Sequence, residues 1–458
     1  MKLLVRKLGL IEHAELDIRP LTIFIGENGT NKTWVAYSLY GLMRSLMRDN
    51  PPSLPVEHEL DDAHYSTLEQ ILADNAAIAS SLAGEGSRNL SLERDFSKYF
   101  SESSTTRVLV GKVPFVRQLL RLPKSLPDVE LRLEFASSEY RTKTEPVRII
   151  VEASGRTAMG AVLRVRTSPN VEHVSFLDSK EKLRDAAWWE ETLSSAFDLW
   201  LSRAPGNVFV LPAERKTLAS AHDLLRDEFG KVVTIPVADY AEFLGSRGRA
   251  AAYGFTADGE FPLQDLGKLL ESQVVKGTIG FTEDDEGTGF TFSPSAQVEL
   301  PIHAASSLVR ALAGLNFYLE TAKPGDFVVI DELEMNAHPE AQLALTELVA
   351  MLVNRGIRVV MTTHSPYIVD HLNNLMAAAR VAPERQDELT PHFQLKSHEA
   401  FLPADKVAAF HFAPVSGKVE VRDVLNRETQ TIDWRTFSRV TDELSNLYGR
   451  ILEAEERE

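Results

Sequence analysis

The sequence contains no cysteine. That excludes disulfides, thiolate zinc sites and cysteine nucleophiles. It also lacks any run of ~18 uncharged apolar residues, so no membrane span is expected. Positive charge is in deficit: 49 Lys and Arg stand against 66 Asp and Glu, for a formal net charge of −17. This balance argues against broad nonspecific nucleic-acid binding, although a local basic groove leaves DNA open as a partner. There is no internal repeat and no long heptad run, so a long coiled-coil arm is not expected. The opening stretch MKLLVRKLGLIEHAELDI alternates and carries acids early, which reads as strands and not as a signal peptide. A cytoplasmic address fits these absences.

What is present is ordinary for a soluble globular protein: 44% hydrophobic and 25% charged residues over 458 positions. That length suits about two or three domains. Two strand-like segments, KLLVRKLG and AELDIRPLTIFI, open the chain, followed by the polar stretch GENGTNKT and the helical pattern WVAYSLYGLMRSLMR. Beyond the linker signal DNPPSLP, alternating runs (VELRLEF, VRIIVEA, AVLRVRT, VEHVSFL) predict an antiparallel sheet with one solvated face. KLRDAAWWEETLSSAFDLWLSR reads as a helix, NVFVLPAERKTL as a buried strand ending in a charged loop, and residues 277–302 as a β-meander. A helix is expected from Ser306 to about Thr321. The continuous apolar runs FVVIDE and IRVVMTTHS, each followed by a helical pattern (Pro339 to Asn354 and PYIVDHLNNLMAAA), predict a parallel α/β sheet buried on both faces. The tail adds two short strands, AAFHFA and KVEVRDV, and an amphipathic helix near WRTFSRVTDELSNLYGRIL.

Four pieces of this sequence carry chemistry. GENGTNKT, Gly26 to Thr33, nearly matches the phosphate-loop pattern G-x-x-x-x-G-K-[ST] and lies between a strand and a helix, as that motif requires. Its backbone N–H groups (Gly26, Glu27, Asn28, Gly29, Thr30, Asn31) would face phosphates, Lys32 would reach the outer ones, and the Thr33 hydroxyl would ligate Mg²⁺. Asn31 replaces the second glycine. Asparagine is among the few residues that tolerate positive φ, so the loop remains feasible. The second piece is the end of FVVIDE, where ligands of open α/β sheets bind. There Asp331 would hold Mg²⁺ and Glu332 would orient or deprotonate the attacking water. The third is His364 of TTHS, which either donates a hydrogen bond to a γ-phosphate or belongs to a polar cluster capping the next helix. The fourth is Ser306 and Ser307, which are either a plain N-cap or a hydroxyl-and-helix-end site for a γ-phosphate.

The order of these pieces (phosphate loop, long insertion, serine helix, acidic strand, histidine strand) resembles the ABC-type ATPase head shared by SMC proteins and OLD-like AAA family ATPases. DELEMNAHPEAQ, Asp331 to Gln342, TTHSPYIVDHLNNL and LPAER, Leu211 to Arg215, look like the single-chain OLD type. The likeness covers the opening ~45 residues and residues 205–375 well, and the middle region weakly. It implies an α/β fold: an ABC-type ATPase head, with a P-loop parallel sheet plus an antiparallel β lobe, and an inserted α+β region. The domains would be 1–44 with 205–400 as ATPase core, 45–204 as insertion, and 401–458 as strands and a helix packing on the core. It further implies ATP and Mg²⁺ as cofactors, with ATP sandwiched between two copies in a homodimer or higher oligomer. Lys32, Glu332 and His364 would be catalytic, Thr33 and Asp331 metal-binding. Ser306 and Ser307 would begin the signature helix, and Glu334, Asn336 and His338 would line the dimer seam. Leu333 and Ala337 depart from the family's proline and leucine, and no LSGGQ is present, which argues against an ordinary transporter ATPase. Arg215 or Lys216 reads either as a phosphate contact or as half of a surface ion pair, the second being the more ordinary outcome.

Three functions follow. The first is an ATP-driven dimeric switch acting on a separate nuclease or toxin, in phage defence or DNA surveillance. A self-sufficient nuclease would draw its metal carboxylates from TEDDEG or the tail, where a solvated hairpin turn is the simpler reading. A nucleotide-binding scaffold with little turnover is the third, and Asn31 is the feature that supports it.

Overall fold

The computed structural model describes residues 1–47, 54–60, 106–122, 128–136, 149–157, 160–167, 171–177, 187, 206–221, 232–252, 263–284, 287–433, 443 and 445–451. The described chain groups into two compact units. One comprises Met1–Lys2, Leu42–Gly111 and Arg132–Asn207; the other comprises Leu3–Gly41, Lys112–Leu131 and Val208–Glu458.

The second unit holds every residue singled out from the sequence. Its strands are β1 (Lys2–Leu8), β2 (Ile11–Asp17), β3 (Leu21–Gly26), β10 (Val208–Leu211), β14 (Phe327–Ile330), β15 (Arg358–Thr363), β16 (Val407–Val415) and β17 (Lys418–Asp423), in the spatial order β10-β14-β15-β3-β16-β17-β2-β1. Pairing is parallel from β10 through β14, β15 and β3 to β16, and then β17 runs antiparallel to β16. The chain is therefore α/β with the expected parallel core, flanked by the antiparallel pair β16–β17 and by β2, which runs parallel to β17. FVVI of β14 and VVMTT of β15 are buried throughout, as strands covered on both faces must be.

Two expectations needed correction here. AELDIRPLTIFI is two strands and not one, because Pro20 has no N–H for a ladder and the Arg19 N–H turns to the Thr22 hydroxyl at 2.9 Å. The charged loop expected at the end of NVFVLPAERKTL is only residues 212–214. After β10 the chain enters a short helix, α3 (Arg215–Ala221), whose first side chain is fully buried.

The helices that cover the sheet follow the sequence pattern. They are α1 (Lys32–Met47), α6 (Ser307–Leu319), α7 (Pro339–Asn354) and α8 (Pro366–Ala379). Both α7 and α8 begin on proline, which sacrifices no intrahelical bond there. Ser365 caps α8 and His338 caps α7. Helix α4 (Ile235–Ala252) crosses α6 at Gly314, where any Cβ would strike the Tyr240 ring. The predicted meander forms as β11 (Thr278–Asp284), β12 (Gly287–Ser295) and β13 (Val298–Pro301), all antiparallel. Its turn residues 285 and 286 lie outside the described residues. Of residues 401–458, β16 lies inside the sheet between β3 and β17; most of the expected terminal helix lies outside the described residues.

In the first unit, β4 (Val56–Leu60) and β5 (Thr106–Lys112) pair antiparallel. The runs VRIIVEA, AVLRVRT and VEHVSFL form an antiparallel three-stranded sheet of β7 (Ile149–Thr157), β8 (Gly160–Thr167) and β9 (Val171–Leu177). VELRLEF forms β6 (Glu130–Ala136) and is not part of that sheet. The helix expected over KLRDAAWWEETLSSAFDLWLSR lies outside the described residues apart from Ala187, which is helical.

Candidate functional site

The site follows from strand order. β3, β15 and β14 are parallel neighbours, so their carboxyl ends open on one edge of the sheet, with Ile25 opposite Thr363 and Met361 opposite Ile330. That edge is where open α/β sheets bind ligands. It brings together the loop Gly26–Thr33, the acids Asp331 and Glu332, and His364.

The loop leaves β3 at Gly26, with φ 142°, where a Cβ would collide with the Phe412 carbonyl of β16; only glycine fits. Glu27, Asn28 and Gly29 are exposed, and Thr30 ties back to the Glu27 carbonyl at 2.8 Å. Gly29 also has positive φ, and a Cβ there would meet nothing. Asn31 adopts φ 64°, the left-handed conformation its substitution for glycine demands. Its side-chain oxygen accepts the Leu10 N–H at 3.0 Å, fastening the loop to the β1–β2 turn. The turn residue Gly9 leaves the room this requires, since a Cβ on it would sit 2.5 Å from the Asn31 amide nitrogen. Helix α1 starts at Lys32, so its first-turn N–H groups open on the loop without intrahelical partners.

Lys32 is buried, and its ammonium is held by the carbonyls of Gly26 at 2.9 Å and Glu27 at 2.6 Å and by the Thr30 hydroxyl at 3.3 Å. Burial lowers its pKa to about 8, against the opposing pull of Asp331, Glu332, Glu334 and Glu27. The ammonium is held by its own loop carbonyls, and an anion bound beside it would raise its pKa again.

The Thr33 hydroxyl reaches Asp331 across 298 positions of sequence, at 3.0 and 3.2 Å from the two carboxylate oxygens. Asp331 also accepts the Thr362 hydroxyl at 2.6 Å and is almost wholly buried. One hydroxyl and one carboxylate, converging beside a phosphate-type loop, form a hard-oxygen donor set that suits Mg²⁺, which keeps most of its coordination for water and phosphate. Among the described residues no cluster of three or more His, Asp or Glu side chains that could hold a metal exists.

Glu332 follows at φ 51°, left-handed without being glycine. Such a backbone costs about 1–2 kcal/mol and persists only where neighbours impose it. Its N–H donates to the Thr362 hydroxyl at 2.9 Å. Its pKa is raised, by burial first and then by the neighbouring carboxylates Asp331 and Glu334, while Arg215 and Lys32 pull it down. His364 lies 3.8 Å away, Nε2 to Oε1. Burial and then the Lys32 cation lower the His364 pKa, so the imidazole is neutral at neutral pH and the contact is not an ion pair.

Several residues that build this corner have roles the sequence reading did not assign. Glu334, expected at a dimer seam, accepts the Thr363 hydroxyl at 2.8 Å and the His364 N–H at 2.5 Å, binding the acidic loop to the histidine. Gln342 bonds the Ala337 carbonyl at 2.9 Å and accepts the Ser365 hydroxyl at 2.5 Å, repeating that connection one layer down. Thr362 serves both Asp331 and Glu332, and its doublet TTHS was the available signal. Arg215 is not a phosphate contact or a surface ion pair. Its guanidinium is fully buried and donates to the carbonyls of Pro212, Asp331 and Glu332. Ser306 caps α6 by accepting the Val309 N–H at 3.3 Å, and Ser307 takes a long contact from Arg310 at 3.5 Å. Both hydrogen bonds stay within α6, so the serines are not joined to the loop inside this chain.

Residues 111–370 match the family described as "AAA domain, putative AbiEii toxin, Type IV TA system". The match spans more than half of the sequence and includes Arg215, Asp331, Glu332 and His364, so the chain belongs to this family of AAA domains. No curated protein sequence matches. Among solved structures the chain is similar to an SMC head bound to the C-winged helix domain of ScpA, with TM-score 0.40 and 8% identity over 93% of this chain and 98% of that one. It is also similar to the SMC head domain from Thermotoga maritima (TM-score 0.32, 8% identity, 92% and 98% covered). A third is the Pyrococcus furiosus Smc head with an extended coiled coil, bound to the C-terminal domain of ScpA (TM-score 0.34, 10% identity, 97% and 98% covered).

Proposed function

We propose that this protein is an ABC-type ATPase of the OLD and SMC kind, a switch that binds and hydrolyses ATP between two copies of itself and acts on a separate effector. The observation that carries the reading is the approach of the Thr33 hydroxyl to Asp331 beside the buried Lys32 ammonium. Chance does not assemble a hydroxyl, an acid and an amine from segments so distant at one strand edge.

In this reading the backbone from Gly26 to Thr33 cradles the phosphates and Lys32 moves its proton-bearing amine from the loop carbonyls onto them. Thr33 and Asp331 hold Mg²⁺, which when bound supplies charge neutralisation to the phosphate chain. Glu332 takes the proton of the attacking water, a role its raised pKa favours. His364, neutral, donates a hydrogen bond toward the terminal phosphate. Glu334 carries the position of the acidic loop to His364 through the bonds described above. Ser306 and Ser307, at the start of α6, face the phosphates of a second copy, which gives the homodimer its twofold pair of sites. Residues 45–204 form the inserted region that such a cycle moves. The setting belongs to the same proposal: phage defence with a nuclease or toxin as separate effector, or DNA surveillance, the family description naming a putative toxin of a toxin–antitoxin system.

Mixing the protein in excess with γ-labelled ATP and Mg²⁺ tests the enzymatic core: labelled phosphate should appear within one turnover, and its absence would leave a binding scaffold at most. Light scattering with and without ATP tests the pairing of copies. Recovery of the same neighbour protein from the native host only when ATP is present would identify the effector.

A further inference from the structure

Arg215 opens α3 with no exposed surface and, among the described residues, no carboxylate in hydrogen-bond contact. One terminal nitrogen donates to the Pro212 carbonyl at 3.0 Å and to the Asp331 carbonyl at 2.7 Å. The other donates to the Glu332 carbonyl at 2.7 Å. The fork therefore spans two consecutive carbonyls of the turn that follows β14. From the opposite side, β15 holds the same turn by its N–H groups: Glu332 donates to the Thr362 hydroxyl at 2.9 Å and Leu333 to the Thr362 carbonyl at 3.4 Å. Between these grips sits Glu332 at φ 51°, a conformation it would not choose freely. A lysine in the same place offers a single nitrogen and cannot span both carbonyls in one plane.

We propose that Arg215 is a positioning residue: it clamps the main chain of Asp331 and Glu332 in the left-handed turn that aims their carboxylates at the loop Gly26–Thr33. The proposal rests on the ATPase reading for its consequence in turnover and on the hydrogen bonds alone for the clamp. An arginine that merely filled space would affect stability and leave the two functions, nucleotide binding and hydrolysis, to fall or survive together. A clamp on the acids predicts that they separate, because the loop and Lys32 lie outside its reach.

The test compares Arg215→Lys and Arg215→Gln with the parent protein in three measurements: ATP–Mg²⁺ affinity, single-turnover hydrolysis, and amide hydrogen exchange across residues 327–336. Hydrolysis should slow roughly 100-fold, the scale of a misplaced reacting group, with affinity changed by less than about threefold. The Glu332 and Leu333 amides should exchange about tenfold faster while Val328 to Ile330 keep their protection. In a Glu332→Gln background, Arg215→Lys should slow the residual rate far less than it slows the parent, since only the Asp331 half of the clamp remains to be lost. Parent-like rates and exchange, or an equal further loss in that background, would overturn the clamp. If the parent protein itself neither binds nor cleaves ATP, the ATPase reading fails while the exchange comparison still decides the clamp. Failure of both variants to fold would make Arg215 a folding requirement and would also overturn the proposal.

Discussion

The two strand ends that meet at the site, β3 with its loop and β14 with its acids, solve the same problem by opposite means. Each turns through a left-handed residue that is not glycine, Asn31 at φ 64° and Glu332 at φ 51°. Asn31 is chemically suited to that backbone, and it is fastened at the surface by one bond to Leu10. Glu332 is unsuited to it, and is gripped by a buried guanidinium and by β15. The loop is thus a local structure that glycines permit. The acidic turn is a tertiary structure that distant residues impose. A substitution at the loop should change what is bound, and one around the acids should change what is done to it.

The largest break in that comparison comes from Lys32→Ala. It should abolish the rise in melting temperature produced by ATP–Mg²⁺, since a ligand stabilises only the state it binds. Turnover should disappear with it; an unaltered shift would reject the phosphate-loop assignment. Next is Glu332→Gln, expected to cut turnover by about 10²-fold or more with binding intact, so that ATP traps a two-copy species visible by light scattering. The same variant should melt higher than the parent near neutral pH. The folded-state pKa of Glu332 is raised, so its ionisation costs stability above that pKa and nothing once pH falls below the unfolded value. The gain should therefore vanish in acid, and a gain that persists there would contradict the sign of the shift.

Gly9→Ala probes the loop's tie to the β1–β2 turn. Overpacking against Asn31 together with positive φ should destabilise by about 1–3 kcal/mol in denaturant titrations, and Asn31→Gly in the same chain should recover part of it. Smaller again is the response to pH. Lys32 titrates at about 8, so raising pH from 8 to 9 should weaken ATP binding by at most about tenfold, with protons taken up on binding; calorimetry in buffers of different ionisation heat reads both. Asn31→Gly alone should do least, with a change in affinity under about threefold, because glycine keeps the left-handed turn and loses one exposed bond. A large loss from that change would mean that the tie to Leu10 shapes the loop, and the contrast between local and imposed turns would dissolve.

That contrast also accounts for what the sequence disclosed. The loop, the buried runs FVVI and RVVMTT, and the helices α7 and α8 were legible because glycine spacing, apolar continuity and Pro or Ser at helix starts are short-range signals. Their parallel order placed Lys32, Thr33, Asp331, Glu332 and His364 on one edge. Arg215 misled because charge normally means surface, and only the fold reveals three carbonyls waiting for it. Thr362 passed unnoticed between an apolar run and a histidine. The dependence of Gly9 on Asn31 joins two turns that are distant in sequence, and no local pattern encodes it.

One neighbour of the loop has a bearing on how the protein comes into being. β3 is made long before one of its two flanking strands, β16 (Val407–Val415). Until Val407–Val415 is synthesised, β3 has an open edge, the kind that recruits stray strands or chaperones. A chain released early would carry every loop residue and still lack the wall against which Gly26 turns. The turn at Gly26 is therefore complete only once β16 has joined the sheet.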